Sequence, residues 1–266
     1  MKIVSIINQK GGCGKTTTTV NLAAAFAEQG HRSLVVDLDP QAHSTLGLGI
    51  DPDSLTHTIY EAMTKPDVSI VQTVMATKID RVDLVPCNVL LAGAEIELAS
   101  VESKEIALAT QLQKLSQRYG ICVIDCPPSL GILTLNALVA STDVIVPVQV
   151  HYYALEGLKR LLETIRIVRE RFEPCKCRLT GLVLTFVEDG TIFSREIQQK
   201  MRGLFGELVF ETVIHKTIRL AEAPSAGESI LTYAPDSRGA ADYRSLAWEI
   251  LNRRWFAAPE SQNGKA

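Results

Sequence analysis

The chain has 266 residues, 46% hydrophobic and 21% charged, with a formal net charge of −3. That length allows one large domain or two small ones, with enough chain to bury a core without disulfide or metal staples. Wholesale disorder is excluded by these fractions, no run approaches the ~18 apolar residues of a membrane span, and the acidic excess argues against a protein wholly devoted to nucleic acid.

In chain order, Met1-Lys2-Ile3-Val4-Ser5 lacks a signal peptide's long apolar stretch, so a cytoplasmic protein is expected. Apolar, β-branched runs at Ile3–Ile7, Ser33–Asp37, Val82–Pro86, Ile121–Asp125, Val144–Val148 and Leu179–Val187 predict strands buried on both faces. Between them, Thr16–Gln29, Lys104–Arg118, Gly131–Ala140, Ala154–Arg171 and Ser194–Phe205 have the periodicity of amphipathic helices. Asp51–Ile79 is weakly patterned and predicts a surface excursion of short helices. Strand–helix alternation predicts an α/β fold with a doubly wound, mostly parallel sheet. No linker or repeat interrupts it, so residues 1–256 are expected to form a single domain and 257–266 a flexible polar tail. Six scattered cysteines (13, 87, 122, 126, 175 and 177) predict buried thiols, with no zinc or cluster spacing. Residues 151–219 carry 12 basic and 9 acidic side chains, a mildly basic segment that fits either an anion-binding patch or solvated helix faces.

The first strand runs into Asn8-Gln9-Lys10-Gly11-Gly12-Cys13-Gly14-Lys15-Thr16-Thr17 and then a helix. Gln9 breaks the strict phosphate-loop pattern, and Thr17 breaks the dinucleotide pattern at its last glycine. The physics of a phosphate loop is nonetheless complete. Gly11, Gly12 and Gly14 let the backbone N–H groups of Gly11 to Thr17, Cys13 included, turn around phosphate oxygens. Lys15 reaches the β- and γ-phosphates, the Thr16 hydroxyl can ligate Mg²⁺, and the helix N-terminus adds its dipole. Three aspartates end buried strands, where an open α/β sheet binds its ligands. Asp125 is predicted to hold Mg²⁺ through water beside Thr16, and Asp37 is a second candidate near the metal. Asp39, further out, is predicted to orient an attacking water.

The stretch Lys10–Thr17, with its extra Lys10, resembles the deviant Walker A of the signature-lysine P-loop ATPases, which include ParA/Soj, MinD and the nitrogenase iron protein. Longer stretches narrow the match: Lys10–Ala24, Asp37–Gln41, Asp125–Leu138, Pro147–Leu158, Ile218–Ser225 and Asp236–Ala240 together resemble the ParA/Soj partition ATPases from residue 1 to about residue 253. The resemblance implies a P-loop NTPase fold and a slow, Mg²⁺-dependent ATP hydrolase with Lys10, Lys15 and Asp39 in the catalytic apparatus. It implies that Lys10 reaches across a dimer interface to the partner's nucleotide and that ATP closes a homodimer. That dimer would bind DNA without sequence preference, until a ParB-like partner stimulates hydrolysis during chromosome or plasmid segregation. A cytoplasmic, nucleoid-associated protein follows.

Two departures stand out. Where the family often has Pro-x-Asn against the nucleotide base, this chain has His215 and Thr217. Where the family has Asp-x-Arg-Thr, this chain has Glu188-Asp189-Gly190-Thr191, so one DNA-binding arginine is replaced by Gly190. Arg219 stands at the second DNA-binding position, and Arg195, with Lys200 and Arg202, is the alternative patch. A competing MinD-like reading, a membrane-cycling ATPase, rests on Ser245–Phe256, with Trp248, Leu251 and Trp255 on one helical face beside Arg253 and Arg254. A helix docked on the sheet explains the same stripe.

Overall fold

Runs of β-branched residues without polar alternation demand cover on both faces. The computed structural model, which describes residues 1–99, 103–150, 154–172 and 175–253, meets that demand with a sheet between two layers of helices. Among the described residues, eight strands form the sheet: β1 (Lys2–Ile6), β2 (Ser33–Asp37), β3 (Met75–Ala76), β4 (Val82–Val85), β5 (Ile121–Asp125), β6 (Asp143–Gln149), β7 (Arg178–Val187) and β8 (Val209–His215). Their order is β3-β4-β2-β5-β1-β6-β7-β8, and only the short edge strand β3 runs antiparallel. All five residues of β2 and of β5 are buried.

The helices are α1 (Lys15–Glu28), α2 (His43–Gly47), α3 (Ile59–Thr64), α4 (Ile70–Thr73), α5 (Leu91–Ala99), α6 (Ala107–Gln113), α7 (Ile132–Ala140), α8 (Ala154–Arg171), α9 (Ile192–Phe205), α10 (Ile218–Glu222), α11 (Ile230–Tyr233) and α12 (Arg238–Asn252). One face of the sheet carries α1, α11 and α12 through Leu22, Phe26, Ile230, Tyr243, Leu246 and Ile250. The other carries α3 and α5 to α9 through Ile59, Leu91, Leu108, Leu138, Leu161 and Met201. No helix among the described residues is long and apolar enough to cross a membrane.

The six expected strands lie within one residue of their expected ends. Four elements differ from expectation, each for a physical reason. The expected helix 104–118 is a 3-10 turn (Lys104–Ile106) followed by the shorter α6. Asn136 of α7 interrupts it there, accepting the Leu108 N–H at 3.1 Å and donating to the Lys104 carbonyl at 2.9 Å. The segment 51–79 is not only a surface excursion: α3 and α4, each closed by a capping box (Thr58 with Glu61, Ser69 with Gln72), bury Ile59 and Ile70 completely. The C-terminal helix starts at Arg238, capped by Ser237, well before Ser245. Its core-facing residues are Tyr243, Leu246, Ala247 and Ile250, while Trp248 is 62% exposed, so the expected apolar stripe does not coincide with the docked face. Trp255, Arg254 and the tail from Ala257 lie outside the described residues, as do residues 100–102, 151–153 and 173–174.

Strand β8 was not among the expected six. It is held close because Gly181 of β7 has no side chain: a Cβ there would sit 2.6 Å from the Phe210 ring and 2.9 Å from the Leu208 carbonyl oxygen. This close approach brings the end of β8, and with it His215, beside the loop that follows β1.

Candidate active site

The loop between β1 and α1 turns on Gly12 and Gly14, whose φ angles of +68° and +90° are left-handed values that other residues rarely adopt. Gly14 is the N-cap of α1 and offers no side-chain cap, which leaves the first-turn N–H groups directed into the loop. The two strands that follow β1 on one side of the sheet pin the loop. The Asn8 amide donates to the Pro147 carbonyl at 2.7 Å while its Oδ1 accepts the Lys10 N–H at 3.0 Å. The Thr185 hydroxyl of β7 donates to the Cys13 carbonyl at 2.9 Å. Cys13 is buried, and burial pushes its thiol pKa up, so it acts as a packing residue whose thiol donates to the Lys10 carbonyl at 3.2 Å.

Two lysines flank this loop in different environments. Lys15 is only 7% exposed and its Nζ donates to the Lys10 carbonyl at 3.3 Å. Lys10 is exposed and its Nζ donates to Gln149 Oε1 at 2.9 Å. Gln149, at the end of β6, lies in the Pro147–Leu158 stretch, but its contact with Lys10 is a tertiary one that no local pattern marks.

In-register pairing of β2 with β5 sets Asp37 opposite Asp125 at the carboxyl ends of both strands. Asp125 Oδ2 accepts the Thr16 hydroxyl at 2.7 Å and the Ser44 hydroxyl at 2.8 Å. Burial pushes the Asp125 carboxyl up to about 7, with the neighbouring Asp37 charge adding to the effect and both hydroxyls opposing it. Asp37 is also fully buried. Its Oδ2 accepts the Thr45 N–H at 2.8 Å and the Thr45 hydroxyl at 2.7 Å, and its Oδ1 accepts the Asp39 N–H at 3.3 Å. Burial raises it to about 6 despite these bonds. Asp39 stands further out, with Oδ1 accepting the Gln41 N–H at 3.1 Å. Ser44 and Thr45 were missed from sequence, although a Ser-Thr pair opening a helix just after Asp37–Gln41 was the signal available.

A cleft of about 650 Å³ opens beside the loop, lined by Gly14, Thr17, Phe186, His215, Thr217 and Leu220 among others. His215 and Thr217 therefore do converge on the loop. The His215 ring is held on both edges, Nδ1 at 2.9 Å from Asp242 and Nε2 at 3.2 Å from Asp189, with an Arg238 nitrogen 2.7 Å from Nε2. The Thr217 hydroxyl caps α10 by accepting the Leu220 N–H at 3.3 Å. Arg219 follows on α10, exposed and paired with Glu222 at 3.0 Å. Arg195 is exposed on α9, a separate element. Lys216 holds Glu188 at 2.7 Å and Arg238 holds Asp189, so both acids in front of Gly190 are ion-paired.

The site has the parts a Mg²⁺-nucleotide requires. A Cβ at Gly11 or Gly12 would meet nothing within 4 Å, an open cradle, and the Thr16 hydroxyl and Asp125 carboxylate stand together at its edge.

Comparison with known proteins agrees with this geometry. The AAA domain model matches residues 1–176. The sporulation initiation inhibitor protein Soj of Bacillus subtilis is 44% identical over 249 residues, covering 94% of this chain and 98% of that protein. The chromosome-partitioning ATPase Soj of Thermus thermophilus is 43% identical over 250 residues, covering 94% and 95%. A crystal structure of cobyrinic acid a,c-diamide synthase from Mycobacterium smegmatis, with bound ATP analogue and magnesium, superposes with a TM-score of 0.84 at 37% identity over 97% of this chain and 96% of that one. With a glycine loop after β1, strand-end aspartates and this similarity along nearly its whole length, the chain belongs to the Soj/ParA family of P-loop chromosome-partitioning ATPases.

Proposed function

We propose that the chain is a slow, Mg²⁺-dependent ATP hydrolase and a dimerisation switch. In its ATP form it pairs with a second copy and binds DNA without sequence preference. A ParB-like protein then stimulates hydrolysis, and the cycle moves a chromosome or plasmid over the nucleoid in the cytoplasm. The observation that carries this reading is the pairing of Thr16 with Asp125 at the edge of an open glycine loop, with one lysine buried in the loop and a second exposed outside it. The magnesium-bearing nucleotide complexes of the Mycobacterium smegmatis neighbour support Mg²⁺ and ATP as the ligands.

In this reading the N–H groups of Gly11, Gly12, Cys13, Gly14, Lys15, Thr16 and Thr17 bind phosphate oxygens. Lys15 exchanges the Lys10 carbonyl for the phosphates. Magnesium, when bound, neutralises charge on the phosphate oxygens. Thr16 ligates it, Asp125 holds it through water, and Asp37 stands behind as a positioning group because its oxygens are already engaged by Thr45 and Asp39. Asp39 orients the attacking water. His215 and Thr217 border the base, and their engaged hydrogen-bonding atoms leave mainly ring and methyl surface for contact. Arg219, or Arg195 in its place, contacts DNA phosphates.

Lys10 is the residue that distinguishes a dimerisation switch from a monomeric ATPase. Lys10→Ala is expected to keep nucleotide affinity within about threefold, because Lys15 carries the charge inside the loop, yet to remain a monomer with ATP. Light scattering after size exclusion, with ATP and with ADP, tests this. Dimers of normal amount in Lys10→Ala would contradict the cross-interface role.

A further inference from the structure

The approach to β7 carries chemistry that the nucleotide site does not use. Cys175 and Cys177 lie two residues apart with their Sγ atoms at 3.3 Å. A disulfide needs about 2.05 Å between sulfurs, so a closing movement on the order of 1 Å joins them. The Cys175 thiol also donates to the Leu138 carbonyl at 3.4 Å. Cys122 and Cys126 are sealed within or at the end of β5, and the Cys13 and Cys87 thiols donate to the Lys10 and Asp39 carbonyls.

Cys175 borders a cavity of about 320 Å³, shared with Arg166, Arg169, Glu170 and Lys176. Three cations face one carboxylate there, and Glu170 is already paired with Arg166 at 3.2 Å. A thiolate is favoured in such surroundings. The hydrogen bond with Cys177, the Cys177 backbone N–H and the Arg169 charge together pull the Cys175 thiol down against its burial. The same contact, burial and the charge of Asp143 push Cys177 up. The cavity and its cations make Cys175 the accessible sulfur of the pair.

We propose that Cys175 and Cys177 form a reversible oxidation site that takes small hydroperoxides and closes to a disulfide. Burial of both sulfurs favours an oxidant as small as hydrogen peroxide, which the cavity beside Cys175 admits. The Cys175 thiolate attacks one peroxide oxygen; the S–O bond forms, the O–O bond breaks, and the departing hydroxide leaves as water after taking a proton from solvent. Cys175 is then a sulfenic acid. Cys177 sulfur attacks that sulfur; the S–S bond forms, the S–O bond breaks, and the leaving hydroxide takes the Cys177 thiol proton as water. Two thiols are oxidised and one peroxide is reduced to two waters. This inference does not depend on the function proposed above.

Trypsin cleaves after Lys176, between the two cysteines, so a peptide map reads the bond directly. After a few equivalents of hydrogen peroxide, the full chain should lose two hydrogens in mass. The peptide ending at Lys176 should be joined to Cys177-Arg178, and dithiothreitol should reverse both changes. Cys177→Ser should trap a dimedone-reactive sulfenic acid at Cys175, and Cys175→Ser should abolish the mass loss. Should either serine variant fail to fold, the wild-type map decides alone. Absence of the joined peptides, a disulfide to another cysteine, or an undiminished mass loss in folded Cys175→Ser would each overturn the proposal.

Discussion

Asp125 ends β5 and Asp39 lies two residues past β2, and the function proposed above gives them different work. Asp125 is locked to Thr16 and Ser44 and is fully buried, whereas Asp39, 8% exposed, accepts the Gln41 N–H. Asp39→Ala is therefore expected to leave ATP affinity within about twofold while lowering turnover about 100-fold or more, the range of a lost acid–base or water-positioning group. Nucleotide titration alongside steady-state phosphate release checks it, and unchanged turnover would remove Asp39 from the chemistry. The paired acids behind it also make a pH prediction. Asp125 and Asp37 are raised to about 7 and about 6 in the folded chain, above the ordinary carboxylate value near 4. A raised folded pKa means that the native state holds protons the unfolded state has released. Stability is then greatest below about pH 4 from these groups alone, falls as pH rises, and reaches its floor above about pH 7. Without nucleotide, the melting temperature should fall by a few degrees between about pH 5.5 and pH 8, and Asp125→Asn should flatten that fall. An equal slope in wild type and Asp125→Asn would contradict the assignment.

At the scale of elements, the six interior strands were legible because burial on both faces forces long β-branched runs, as in Ser33–Asp37 and Ile121–Asp125. The phosphate loop was equally legible, since glycines at left-handed positions followed by Lys-Thr have few other uses. β8 was not, because Glu211 is exposed and Thr212 and Val213 are half-buried, so Val209–His215 carries neither a continuous apolar run nor a clean alternation. α3 and α4 are too short to show a helical period, and their capping boxes were the only local mark. In the site, the roles of Ser44, Thr45, Gln149 and the two acids on His215 went unseen because each is set by a tertiary contact, even where, as for Gln149 and Asp189, the residue lies in a stretch already singled out. The β7–β8 contact gives a prediction at this scale. Gly181→Ala puts a methyl group 2.6 Å from the Phe210 ring and 2.9 Å from a backbone oxygen, and overpacking of this kind costs about 1–3 kcal/mol. Chemical denaturation should register that loss. A neutral substitution would mean that β8 is free to move outward.

For the whole molecule, the acidic net charge and the proposed DNA role are reconciled by local pairing. The acids before Gly190 are tied to Lys216 and Arg238, and Arg219 on α10 is a further exposed cation, held by Glu222. Gly190 itself has open space around it, so an arginine fits there without displacing a neighbour. Gly190→Arg should strengthen DNA binding and steepen its log–log salt slope by about one unit, while Arg219→Ala should weaken binding and flatten the slope. If Arg195→Ala is instead the damaging change, the contact surface is centred on α9. The most direct test of the switch is DNA binding by the purified chain in ADP, in ATP and in a slowly hydrolysed ATP analogue, read by fluorescence anisotropy on a duplex of arbitrary sequence together with the oligomeric state. The account predicts salt-sensitive binding by a dimer with ATP and the analogue, and a monomer with little affinity in ADP. Equal DNA affinity in all three nucleotides, or tight binding by a monomer, would contradict it.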